Sequence, residues 1–203
     1  MCGRFCVDID IPIEELKTII AEVDRRLKEI TQPGDEQLKM PLGEIFPTNI
    51  VPTIISNKLN ETLASPMQWG FSKFNGPGVI INARSETAFE KPMFRLPMME
   101  RRCLIPATNY FEWETQGKKK IKHALRDPDS QLIYMAGIYR YEADKLLPVF
   151  TILTRDAAPG IRYIHERMPV ILPPDERKAW LSDTSDIMDV LLSAQDNIIA
   201  EAV

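Results

Sequence analysis

The 203-residue chain carries 25 Lys/Arg against 29 Asp/Glu, a formal net charge of −4, and 44% hydrophobic residues. That length and apolar content suffice for one hydrophobic core, so a single domain spanning residues 1–203 is expected. The charge balance argues against a generally basic nucleic-acid coat. With no run of about 18 apolar residues and no secretory h-region after Met1-Cys2-Gly3-Arg4, a cytoplasmic protein is expected, with no membrane partner.

In chain order, Pro12 suits a first helical turn, and Ile13, Leu16, Ile19, Ile20, Val23, Leu27 and Ile30 recur at helical spacing with charges between them. An amphipathic helix ending before Pro33-Gly34 follows. The next segment, through Pro41, Pro47 and Pro52, reads as extended or looped, with a short strand at Val51–Ile55. Short β runs come next: Thr62–Trp69, Val79–Asn82, Arg102–Pro106, Tyr110–Trp113, Ile121–Leu125, Leu132–Tyr139 and Leu147–Thr154. Lys118-Lys119-Lys120 after Gly117 reads as a solvated hairpin tip. Two helices, Pro174–Leu181 and Ser185–Ile198, close the chain. The pattern predicts an α+β fold with a curled, mostly antiparallel sheet or barrel flanked by helices.

Charge is uneven along this layout. Residues 84–126 hold ten Lys/Arg and five Asp/Glu, a local balance of +5 inside an acidic chain, so one face can hold a phosphate backbone. Cys2, Cys6 and Cys103 are too few and too scattered for a disulfide framework. Cys2 and Cys6 with His123 or His165 lack the close cysteine pairs of a zinc site, so no metal and no other cofactor is expected.

Removal of Met1 would leave Cys2 with a free α-amine and a thiol on adjacent carbons. An aldehyde meeting such a pair forms an imine with the amine, and the thiol then closes a five-membered thiazolidine. The two groups start near about 8 and about 8.5, so modest tuning would supply a neutral amine and a thiolate near neutral pH. A retained Met1 ties that nitrogen up as an amide.

Other reactive groups end apolar β runs. Glu112 lies between Phe111 and Trp113; inward it is a carboxyl placed to shuttle protons, outward an ordinary surface carboxylate. His165, before Arg167-Met168-Pro169, is a proton shuttle or a histidine tied to backbone. His123, beside a lysine-rich run, reads as a surface residue. Asn82 orients a nucleophile or caps a turn. Arg4 and Arg84 suit phosphate contacts, with pairing to Glu86 or Glu112 as the ordinary alternative. Trp69, next to Gly70, is core or a stacking surface near an edge, with the edge favoured.

These segments together resemble the SOS-response-associated peptidase (SRAP) family, which attaches itself covalently to abasic sites in single-stranded DNA. The resemblance runs through Met1-Cys2-Gly3-Arg4-Phe5, Asn49-Ile50-Val51-Pro52-Thr53, Trp69-Gly70, Asn82-Ala83-Arg84-Ser85-Glu86-Thr87, Arg102-Cys103-Leu104-Ile105-Pro106-Ala107 and His165-Glu166-Arg167-Met168-Pro169-Val170-Ile171-Leu172. It implies Cys2 as the crosslinking residue, with Asn82, Glu112 and His165 as catalytic companions. It further implies DNA contacts by Arg4, Asn49, Trp69, Arg84 and Thr154, with single-stranded abasic DNA as the partner of a monomer. Two rival classes share some of these features: an N-terminal-nucleophile cysteine amidohydrolase or autopeptidase, and a module that binds modified DNA without bond formation.

Overall fold

The computed structural model describes residues 2–31, 38–182 and 186–203. Its strands are β1 (Arg4–Val7), β2 (Gly43–Ile45), β3 (Ile50–Ser56), β4 (Thr62–Trp69), β5 (Phe71–Ser72), β6 (Val79–Ile80), β7 (Asn82–Arg84), β8 (Arg102–Ala107), β9 (Asn109–Gln116), β10 (Lys119–Arg126), β11 (Ile133–Arg140), β12 (Val149–Asp156), β13 (Arg167–Pro169) and β14 (Ile199–Ala202). The helices are α1 (Glu14–Ile30), α2 (Pro92–Glu100), α3 (Pro174–Leu181) and α4 (Ile187–Leu192). The architecture is the expected α+β class.

The larger sheet runs β11-β8-β3-β4-β12-β13, and an added β11–β12 pairing brings its path back on itself. Strands β8, β11 and β12 are buried along nearly their whole length, as strands packed on both faces must be. The curl is mostly antiparallel, but β12 runs parallel to both β4 and β7. A second sheet, ordered β14-β10-β9-β1-β2, lies beside it. The two sheets share one core, in which Phe5 of β1 meets Trp69 of β4 with ring centroids 5.0 Å apart.

α1 follows its apolar spacing: Leu16, Ile19, Val23 and Leu27 are its buried residues, and the charged positions between them face water. The loop expected at Pro33-Gly34 lies outside the described residues. Gly70 sits at φ +116°, where a Cβ would fall 2.6 Å from Val79, so only glycine lets the chain turn there. Val79–Asn82, expected as one strand, is divided into β6 and β7 by a break at Ile81.

The last expected helix is shorter than its apolar spacing suggested. Its start at Ser185 lies outside the described residues. The chain leaves the helix after Leu192 and runs extended as β14, where pairing with the edge strand β10 satisfies its backbone groups. Among the described residues, no helix is long and apolar enough to cross a membrane.

Candidate active site at the chain start

Cys2 lies just ahead of β1 and is fully buried. Its carbonyl accepts a 2.9 Å hydrogen bond from Nδ2 of Asn82, the first residue of β7. That bond joins the two sheets, because β1 belongs to one and β7 is paired with β12 in the other. The Cys2 thiol points back to its own strand and donates to the Arg4 carbonyl at 3.6 Å.

Burial, with the Glu112 carboxylate as the second cause, pushes the Cys2 thiol well above its ordinary range. Modest tuning toward a thiolate was expected; the structure does the reverse, since desolvation disfavours the charged form. A thiol held protonated suits a late step, after another group has attacked.

Glu112 points inward and is only 5% exposed. β9 pairs with β1 so that Tyr110 stands opposite Phe5, and alternation puts Tyr110 and Glu112 on the same, core-facing side. The Tyr110 hydroxyl is buried and has no hydrogen-bond partner among the described residues. Burial first, then the charges of Cys2 and Glu112, raise its pKa well above normal. Asn82 Oδ1 is likewise buried without a partner among the described residues. Buried polar atoms are rarely left so unless something else fills the site.

His165 precedes β13, and its Nδ1 accepts the backbone N–H of Arg167 at 2.9 Å. Nδ1 also lies 3.2 Å from the Arg167 carbonyl, so the turn holds the ring through that one nitrogen. Arg167 is itself buried and pinned by Glu86 through two bonds of 2.7 and 2.8 Å, by Asp156 at 2.6 Å and by the Thr154 carbonyl at 2.7 Å. This cluster fixes the backbone that orients His165.

Although burial opposes it, the Arg167 guanidinium holds the Glu86 carboxyl below the usual carboxylate range. A carboxylate depressed in the folded state contributes stability above its unfolded pKa and loses it as pH falls through the folded value. Glu86→Gln should therefore lower the melting temperature modestly at neutral pH, the Glu86 side chain being 47% exposed, and flatten the acid limb, with the two proteins converging as Glu86 becomes protonated.

The residues expected to contact DNA separate into two groups. Arg84 is exposed and borders a cavity of about 390 Å³ with Asp156, Arg162, Glu166 and Arg167. Arg4 is half-exposed and pairs with Glu44 at 3.1 Å, not with Glu86 or Glu112. Its guanidinium lies 4.6 Å from the Phe46 ring centre and 4.9 Å from that of Trp113, while Lys122 sits over Phe111 and also binds Glu44. Asn49 Oδ1 accepts from the Phe46 N–H and holds this turn.

Trp69 and Thr154 are different. Both are fully buried: Trp69 donates from Nε1 to the Ile81 carbonyl, and Thr154 donates to the Ala83 carbonyl. The edge position favoured for Trp69 is corrected; its ring fills the core between Phe5 and Phe150 and anchors the strand that carries Asn82. A stacking contact with a base is closed to it, and Thr154 offers no accessible side chain. His123, expected on the surface, is 7% exposed, because β10 turns it toward the site face and β14 covers its flank.

Likeness to known proteins runs over nearly the whole chain. The model of the SOS response associated peptidase (SRAP) family matches residues 1–202. A Bacillus subtilis protein named abasic site processing protein YoaM is 33% identical over 202 residues, covering 95% of this chain and 84% of the relative. The Escherichia coli abasic site processing protein YedK is 29% identical over 192 residues, covering 89% and 79% of the two chains. A solved structure of a Bacteroides thetaiotaomicron protein superposes with a TM-score of 0.76 at 25% identity, covering all of this chain and 92% of that one. The chain belongs to the SRAP family.

Proposed function

We propose that this protein captures abasic sites in single-stranded DNA by a covalent bond to Cys2, exposed as the first residue once Met1 is removed. The observation that carries the reading is the convergence of Cys2, just ahead of β1, with Asn82 of β7 and Glu112 of β9 on one buried spot. The names of its relatives, abasic site processing proteins, support the substrate class.

The damaged sugar is mostly a closed hemiacetal, and only its open aldehyde is electrophilic. Ring opening moves a proton from the anomeric hydroxyl to the ring oxygen, with His165 placed as the acid and base for that exchange. The Cys2 amine adds to the aldehyde carbon and water leaves, giving the imine. Glu112 takes and returns the protons of that condensation, and Asn82 holds the Cys2 backbone in register. The thiol S–H then adds across C=N, sulfur to carbon and hydrogen to nitrogen, which closes the thiazolidine.

A thiol kept protonated until then does not compete with the amine for the aldehyde. Arg4 and Arg84 hold the flanking phosphates. The cation and aromatic ladder of Arg4, Phe46, Trp113 and Lys122 is suited to a single strand, whose bases offer stacking faces. The protein acts as a monomer, and the same Cys2 site serves removal of Met1.

Incubation with an abasic-site oligonucleotide should yield a denaturation-resistant band with the wild-type protein and none with Cys2→Ala. A band that survives the substitution would place the linkage elsewhere and end this proposal.

A further inference from the structure

Glu112 hands to the departing oxygen the protons it takes from a neutral amine, but a Cys2 amine that starts as an ammonium leaves one proton over, and Glu112 is enclosed. The inner face of the β9–β10 pair shows where that proton goes. His123 stands directly opposite Glu112 in the strand register, so their Cβ atoms are about 4.5–5.5 Å apart. Glu114, two residues along β9 and therefore on the same face, meets His123 Nε2 through its Oε2 at 3.0 Å. His123 thus lies between two carboxylates, one deep and one nearer the surface, the Glu114 side chain being 14% exposed.

The ring's other nitrogen carries a second signal. Nδ1 is buried and has no hydrogen-bond partner among the described residues. With Nε2–H donating to Glu114, Nδ1 is an acceptor that needs a donor in a place bulk water does not reach. The ring faces Glu112 and Glu114 from β9, the neutral Ala202 from β14, and Tyr163, whose ring meets His123 edge-on with centroids 6.2 Å apart. Tyr163 lies two residues before His165. His123 therefore packs between the strand of Glu112 and the turn that carries His165.

We infer that His123 and Glu114 form a proton relay that resets Glu112, a role that rests on the crosslinking reaction proposed above. The protonated Glu112 carboxyl delivers its proton to Nδ1 through one water, as Nε2 passes its own proton to Glu114. One proton moves from Glu112 to Glu114 and the imidazole ends neutral with its proton on Nδ1. Exchange of the Glu114 proton with solvent completes the release of one proton per crosslink. His123 touches no reacting atom, so it is a positioning residue.

The test is the single-turnover rate of crosslinking for wild type, His123→Gln and Glu114→Gln, followed across the pH range in which carboxylates and imidazoles titrate. Affinity for a strand carrying a tetrahydrofuran analogue, which has no aldehyde, is measured alongside. Both variants should slow crosslinking by at least about 10-fold at neutral pH, change the shape of the pH profile and leave analogue affinity unaltered. Glu114→Gln keeps the histidine in place and guards against a His123 variant that merely folds poorly.

Variants that retain the wild-type rate and profile, or that lose analogue affinity in step with rate, would overturn the relay. A blank wild-type control sinks the crosslinking reaction and the relay with it. A working wild type with indifferent variants sinks the relay alone.

Discussion

Glu112→Gln should lower the rate of crosslink formation by about 10²–10⁴ while leaving the protein folded and its affinity for undamaged single strands intact. The substitution is nearly isosteric and removes only the ability to exchange a proton and carry a charge. Glu112 is on the buried side of β9, on the same face as Tyr110 and opposite His123, and its charge acts on the Cys2 thiol. Imine formation needs a group there that takes a proton from the incoming amine and returns one to the departing hydroxyl. An amide does neither.

The same substitution carries a second expectation of opposite sign. The Glu112 charge is one of the causes that hold the Cys2 thiol up, second to burial. Its removal lowers the thiol's pKa toward the ordinary cysteine value, so the thiolate fraction at a given pH rises. Alkylation of Cys2 should then become faster as crosslinking becomes slower. If both rates fall together, Glu112 acts by holding the local structure and not by moving protons.

Much of this arrangement is written locally in the chain. α3 and β4 fall at the boundaries their patterns predict, and α1 begins one residue beyond Ile13, its apolar stripe buried as read. Even the His123–Glu112 pairing is encoded, because the two-residue turn Gly117-Lys118, with Gly117 at φ +61°, aligns Gln116 with Lys119 and so Glu112 with His123. The lysine-rich neighbours of His123 suggest a surface residue, yet it is buried. Strand alternation sends Lys120 and Lys122 to the other face, and that signal was there to be counted.

Other features depend on contacts far apart in sequence. β1 has only four residues, and its strand character comes from being held between β2 and β9. α2 carries Pro92 and Pro97 and lacks a clean apolar stripe, so periodicity alone passes over it. Trp69 and Gly70 read as an edge or a core, with the edge favoured, and the sequence alone misplaces the indole. The deciding fact is that β12 runs parallel to β4 and brings Phe150 over the indole. The Glu86–Arg167 pair joins positions 81 residues apart, and no spacing rule announces it.

Arg102→Met should cost about 3–5 kcal/mol of stability, the largest loss expected for one substitution away from the reactive residues. Arg102 opens β8, and its side chain is buried. Its guanidinium donates to four backbone carbonyls: Met98 at 2.8 Å and Met99 at 2.6 Å near the end of α2, and Trp180 and Ser182, both at 2.7 Å, at the end of α3. Helix C-termini leave carbonyls without intrahelical partners and carry partial negative charge, so one cation satisfies two helix ends at once. Methionine fills the volume but donates nothing, and the carbonyls are left facing an apolar side chain. Arg102→Lys should be intermediate, since a single ammonium with three donors cannot span the arc that the planar guanidinium covers. Urea unfolding should show the midpoint falling in the order wild type, Lys, Met with the slope against denaturant unchanged. Equal midpoints for the Lys and wild-type proteins would mean that charge alone, not the geometry of the fork, ties the two helices to β8.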